Sequence, residues 1–113
     1  MRSHSKIFKA LSDKNRLRIV KMLEVKLMCV CEITAVLKLA PSTVSKHLSL
    51  LHGAGLIEDR KEGKWVNYYL PSKSRSPFAA EILKLLRSSL RDDPDVRADG
   101  KKAKKVNRAE LCR

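Results

Sequence analysis

The residues with the most chemistry to offer are two thiols set two apart, Cys29 and Cys31, in the run Leu27-Met28-Cys29-Val30-Cys31-Glu32-Ile33. Thiolates are soft ligands and select soft ions, so a Cys-x-Cys points to a metal or metalloid. The same pair can oxidise, or can serve as two small apolar side chains in a core. On a regular helix, residues two apart point about 200° away from each other. Joint use of both sulfurs therefore needs a non-helical start before Glu32, or an unwound first turn. Cys112 is the one remaining thiol. Three cysteines with this spacing do not make a disulfide framework, and a reducing compartment, the cytoplasm, is expected.

A second stretch, Pro41 to Leu51, carries a different chemistry. At 3.6 residues per turn, Val44, Leu48 and Leu51 share one arc, while Ser42, Ser45, Lys46 and Ser49 gather opposite. Pro41 suits a first helical position, and Gly53 and Gly55 stop the helix. Hydroxyls and one Lys, with no bulky or acidic neighbour, let a helix approach a DNA major groove and donate to phosphates and base edges. Pro41, Ser42, Thr43, Ser45, Lys46 and Ser49 are the candidate DNA contacts on this segment. His47 flanks the apolar stripe and reads as packing or a phosphate contact; His52 reads as facing solvent.

Charge supports a polyanionic partner. The 113 residues carry a formal net charge of +13 with a pI near 10.1, and residues 91–113 account for only +3 of it. The remaining +10 belongs to the part expected to fold. No run approaches 18 consecutive apolar residues, so no membrane partner is expected. Aromatics are 4% of the chain, which makes the core one of Leu, Ile and Val. Glu32, Glu58, Asp59 and Glu62 are scattered without a nucleophile and base in register, and no enzymatic activity is expected.

The elements that must position these residues follow from periodicity. Residues 5–11 form a short amphipathic piece with Ile7, Phe8 and Leu11 on one side. Ser12-Asp13 starts a second helix that runs to about Leu23 and is apolar on more than one face. A third opens at Leu27 and ends near Leu39. Leu56–Glu62 and Trp65–Leu70 read as two strands joined by Glu62-Gly63-Lys64, with Arg60, Lys61 and Lys64 as basic groups around the tip. Ser76-Pro77 restarts a helix whose stripe is Ala79, Ile82, Leu83, Leu86 and Leu90. That stripe and Ile7, Phe8 and Leu11 are unmatched, and are assigned to a two-fold dimer interface. The fold is thus expected to be mainly α with a small β-hairpin, in the order α-α-α-α-β-β-α. Residues 1–90 form the DNA-binding and dimerisation domain, and 91–113 a basic, mobile tail carrying Cys112.

This order is that of a dimeric winged helix-turn-helix. Val44-Ser45-Lys46-His47-Leu48, Ala54-Gly55-Leu56-Ile57 and Arg60-Lys61-Glu62-Gly63-Lys64-Trp65-Val66 resemble the ArsR/SmtB family of metal- and metalloid-sensing repressors. Cys29-Val30-Cys31-Glu32-Ile33 resembles the cysteine motif of its arsenical-resistance repressors, and the likeness spans roughly residues 5–90. The resemblance implies a homodimer that binds operator DNA and leaves it when arsenic(III) or antimony(III) binds cysteine thiolates. Those ions take three sulfurs in a pyramid. The family motif continues to a third cysteine where this chain has Thr34, which leaves Cys29, Cys31 and Cys112, or a small thiol or hydroxide in the third place. A cadmium, lead or zinc sensor of the same family is the alternative inducer reading. Members of that kind add thiolates from the N-terminal arm, which offers only His4 here, or His and acidic groups on the last helix, which has no His between Ala79 and Leu90. A thiol redox switch, and a winged-helix protein used for protein contacts or constitutive DNA architecture with inert cysteines, are the other two readings.

Overall fold

The computed structural model describes residues 1–111 of the chain. Asp13 sets the second helix as expected: its Oδ1 accepts from the backbone N–H of Asn15 and Arg16, at 2.8 and 3.1 Å. Helix α1 (Arg2–Leu11) precedes it, and α2 (Lys14–Leu23) follows. Five consecutive residues of α2, Ile19 to Leu23, are buried, because α1 and the helices over residues 41–53 and 94–105 all pack on it. Lys21 is among them. Its ammonium donates to the Leu86 carbonyl at 2.5 Å and pairs with Glu24 at 2.8 Å, so a buried cation closes the C-terminal end of another helix.

After α2 the chain departs from expectation. A single helix over 27–39 was expected. Met28–Cys29 is instead a two-residue strand, β1, and helix α3 starts at Val30 and ends at Leu37. Lys38 closes α3 in the left-handed region, φ 58, and its N–H bonds the Thr34 carbonyl at 2.7 Å. Leu39 and Ala40 then lead into α4 (Pro41–Gly53), with Pro41 at the first position. Val44, Leu48 and Leu51 are its buried residues, as the periodicity required. Gly55, at φ 78, takes the chain out of the helix.

The hairpin is β2 (Glu58–Glu62) and β3 (Trp65–Tyr69), paired Glu62 to Trp65 across the turn, with Gly63 at φ 60. Leu56 and Ile57, expected on the first strand, lie just before it and are fully buried. β3 is the middle strand, because β1 pairs with its other edge, Met28 opposite Tyr68 and Cys29 opposite Asn67. β1 and β2 are therefore the outer strands, and β2 is five charged residues long. The sheet has three strands, and the third was hidden inside the cysteine motif.

Ser76 caps helix α5 (Pro77–Arg87), accepting from the Ala79 N–H at 3.2 Å. Beyond it the expected mobile tail is corrected. Residues 94–105 form α6 (Pro94–Lys105), which packs on α2 and α3, and residues 108–111 a short α7 (Arg108–Leu111). Arg18 holds buried Asp99 through two bonds of 2.8 and 2.9 Å, Lys14 pairs with Asp95 at 2.8 Å, and Ala103 is fully buried. The packed seam is Val96, Asp99, Gly100 and Ala103, which is helically spaced but lacks large apolar side chains. A hydropathy pattern cannot reveal it.

Candidate metal centre and nucleic-acid interface

Two helix beginnings, those of α3 and α4, hold the candidate residues. At α3, Cys29 is the N-cap residue, in extended conformation at φ −89 and ψ 171. Cys31 lies in the first turn and is exposed, while Cys29 is a free thiol at 2% exposure. The extended N-cap lifts the constraint that a regular helix would place on the pair. Cys29 and Glu32 form a capping box: the Cys29 N–H donates to Glu32 Oε1 at 3.0 Å, and the Cys29 sulfur faces the backbone N–H groups of Glu32 and Cys31. Burial pushes the Cys29 thiol up, and those N–H groups pull it only part of the way back. Glu32 is itself buried and pairs with Lys26 at 3.4 Å. The sequence signal for this was present, since Cys-x-x-Glu is a capping box with sulfur in place of a hydroxyl.

The donor set is soft, as a soft ion requires. Among the described residues no three His, Cys, Asp or Glu side chains come together as a metal site. Cys112 lies outside the described residues. Thr34, on the next turn of α3, has a buried hydroxyl without a hydrogen-bond partner among the described residues. On the N-terminal arm, the His4 ring is stacked on Phe78 at 4.1 Å.

At α4 the arrangement is the opposite. Ala40 is the N-cap and provides no side-chain bond. Pro41, Ser42, Thr43, Ser45, Lys46 and Ser49 are all exposed, forming one continuous polar face. A cleft lined by Ser45, Ser49 and His52 on one side and by Asp59 and Tyr68 on the other joins this face to the hairpin. Lys61 and Lys64 are exposed, with the Lys64 ammonium 4.9 Å from the centre of the Trp65 ring. Arg60 is turned back: it bonds Glu62 at 3.0 and 2.8 Å and lies over the Tyr69 ring. That bond, with Asn67 and Arg108 nearby, holds the Glu62 carboxyl below its usual range.

Sequence reasoning missed Arg16. Its guanidinium donates to the Ala10 carbonyl at 2.7 Å and lies 3.1 Å from His47 Nδ1. Arginine can only donate, so in this contact Nδ1 is the acceptor. His47 is thereby fixed to the end of α1. His52, expected in solvent, lies 3.5 Å from Asp59 and 3.8 Å from Glu58.

The two apolar stripes divide. Ile7, Ala79 and Leu83 are covered within the chain and are core residues, which corrects their placement at a dimer surface. Leu11, Ile82 and Leu86 are partly buried against the core. Phe8 at 58% and Leu85 at 64% are open, with Leu90 beside the end of α5, and the Phe8 ring meets Phe78 edge-on at 5.5 Å. No helix among the described residues is long and apolar enough to cross a membrane.

Comparison with known proteins agrees with this architecture. Residues 13–59 match the model of the family described as "Bacterial regulatory protein, arsR family". The arsenical resistance operon repressor of Escherichia coli (strain K12) is 44% identical over 78 residues, which is 68% of this chain and 66% of that repressor, so the chain spans just under two thirds of its length. The cadmium metal-sensor CMTR from Mycobacterium tuberculosis is 32% identical, with a TM-score of 0.55 over 76% of this chain and 85% of that one. The homodimeric winged helix-turn-helix DNA-binding domain Mb0332 from Mycobacterium bovis, a possible ArsR-family regulator, is 26% identical, with a TM-score of 0.63 over 75% of each chain. The HTH-type transcriptional regulator MJ1325 of Methanocaldococcus jannaschii is 43% identical over 73% of this chain and 89% of that protein. With β2 and β3 as the wing and α3–α4 as the helix-turn-helix, the chain belongs to the arsR family of bacterial regulatory proteins, a family of transcriptional regulators.

Proposed function

We propose that the chain is a cytoplasmic, homodimeric repressor that releases operator DNA when arsenic(III) or antimony(III) binds Cys29 and Cys31. Cys112 is the third sulfur in this reading, from either subunit. The observation that carries the proposal is the position of the thiols: an extended N-cap and a first-turn residue at the start of α3, whose other end leads through Lys38 into α4. Pro41 to Ser49 face the major groove, and Lys61, Lys64 and Arg60 of the wing face the adjoining phosphates, Arg60 after exchanging its bond to Glu62.

A ligand that takes the Cys29 sulfur removes the acceptor from two backbone N–H groups. Losing an N-cap costs about 0.5–2 kcal/mol, comparable to the coupling of roughly 1–3 kcal/mol usual between linked sites. Loss of the cap therefore suffices in magnitude to disturb α3, and α4 packs on α3 through Leu37, Leu39 and Val44. Two half-sites about 34–36 Å apart on DNA then cease to match both reading helices at once. The two-fold contact in this reading uses Phe8, Phe78, Leu85 and Leu90, with Leu11, Ile82 and Leu86 behind them. The engagement of His4 with Phe78 favours a three-sulfur ion over cadmium, which would draw further ligands from the N-terminal arm.

Operator binding followed by fluorescence anisotropy, with arsenite titrated in, tests the reading. Wild type is expected to release DNA, and Cys29→Ser and Cys31→Ser to stay bound. Release of both variants at wild-type arsenite concentrations would place the sensing site elsewhere. Release by hydrogen peroxide and not by arsenite would establish a redox switch instead.

A further inference from the structure

We infer that Arg108 is a positioning residue that couples occupancy of Cys29 to the geometry of the wing tip. The inference rests on the thiol-sensing reading and adds to it the route by which the wing responds. Cys29 on β1 is the direct cross-strand partner of Asn67 on β3. Directly opposed residues of antiparallel strands share a sheet face, with Cβ atoms about 4.5–5.5 Å apart. Asn67 is wholly buried, and its carboxamide oxygen accepts from the Arg108 guanidinium at 2.6 Å. Its amide nitrogen makes no hydrogen bond of good geometry among the described residues and lies toward the Glu62 carboxylate, which it helps to stabilise.

The same guanidinium stands 4.5 Å from the centre of the Trp65 ring and 3.8 Å from Glu62 Oε2. Trp65 and Glu62 are the cross-strand pair that closes the turn bearing Lys64. One side chain thus touches the residue beside the sensing sulfur and both residues at the base of the basic tip. A buried amide with a well-formed bond at one atom only is sensitive to its neighbours, because any new partner at its nitrogen competes with the existing geometry. Drawing the Cys29 sulfur into an ion's shell changes the group next to Asn67. Arg108 then passes the change to Trp65 and Glu62. Arg108 is not required to bind the ion or DNA.

Trp65 is the chain's single tryptophan, so its emission reports this route without DNA. Sodium arsenite is titrated into the full chain while near-ultraviolet sulfur-to-arsenic absorption and Trp65 emission are followed together. Wild type is expected to show both signals with one midpoint. Arg108→Leu is expected to keep the absorption change and its midpoint within about twofold while losing most of the emission change; Arg108→Lys should retain part of it. A purely structural role for Arg108 would alter resting emission and leave the arsenite response in place. An Arg108→Leu response equal to wild type, or wild-type absorption without any emission change, overturns the coupling and leaves the sensing site intact. Absence of the absorption change in wild type overturns the sensing reading itself, and the coupling with it.

Discussion

The start of α3 and the start of α4 are both helix N-termini, eleven residues apart, and each exposes the same kind of unsatisfied backbone donor. They are treated in opposite ways. At α3 the donors are closed by the Cys29 sulfur, the Glu32 carboxylate returns the favour to the Cys29 N–H, and Lys26 pairs with Glu32 from outside. At α4 the N-cap is Ala40, no side chain closes the end, and hydroxyls surround it. A closed end is stable until something competes for its cap. An open end keeps its donors for an external anion. In the proposed reading the closed terminus senses and the open one reads, within one helix-turn-helix.

The largest expected effect breaks the contrast by removing what joins the two ends. Leu48 is 1% exposed against the core between them, and Leu48→Ala should cost about 2–5 kcal/mol in urea unfolding. Next, at the open end, Lys46→Ala should weaken operator binding by about 1–3 kcal/mol if it reaches a base edge. Lys64→Ala should instead weaken all duplexes alike and reduce the salt slope by about one unit. Equal salt slopes and unchanged operator affinity for both variants would show that the exposed face of α4 is not the reading face.

At the closed end, Glu32→Ala leaves the buried Cys29 N–H without its partner and takes the carboxylate from Lys26, whose ammonium keeps its bond to the Val106 carbonyl. It should cost about 1–3 kcal/mol of stability, read by thermal unfolding, with no change in the salt slope of DNA binding. The contrast is sharpened by Ala40→Asp, which adds the missing cap to α4. It should raise stability by about 0.5–2 kcal/mol and weaken DNA binding, because a carboxylate then occupies donors kept for phosphate. Tighter DNA binding by this variant would remove the distinction.

The smallest effect is on pH. Burial raises the Cys29 thiol from its ordinary 9.0. The folded state therefore retains a proton that the unfolded chain loses, and the stabilisation is complete below the unfolded value and declines as pH rises toward the folded one. Wild type should lose stability above about pH 9 relative to Cys29→Ala, measured by urea unfolding across that range.

Most of this contrast was legible in the sequence at the open end and little of it at the closed one. Val44, Leu48 and Leu51 repeat with a helical period, so the opposite face of α4 follows directly. The turn at Gly63 and the strands beside it are likewise local signals. The helix expected from Leu27 takes in Cys29, because Met28 and Cys29 make only a two-residue strand whose pairing with Tyr68 and Asn67 is a tertiary event with no period to detect. The α6 seam failed for another reason: Asp99, Gly100 and Ala103 are small or charged, and their burial depends on Arg18, some eighty residues away. Arg16 and Arg108 look like any other basic residues until their partners are in place.

The outer strand β2 has a consequence for how the molecule behaves in crowded solution. Glu58, Asp59, Arg60, Lys61 and Glu62 form an unbroken charged run along β2, the longer of the two outer strands of the described sheet. Strand edges invite other strands, and charge is among the features that make such pairing unfavourable. A chain that leaves Phe8 and Leu85 open on one side has reason to keep its other adhesive surface guarded. Self-association is thereby steered toward the apolar side, where it can close as a pair, and away from the sheet, where it would continue without limit.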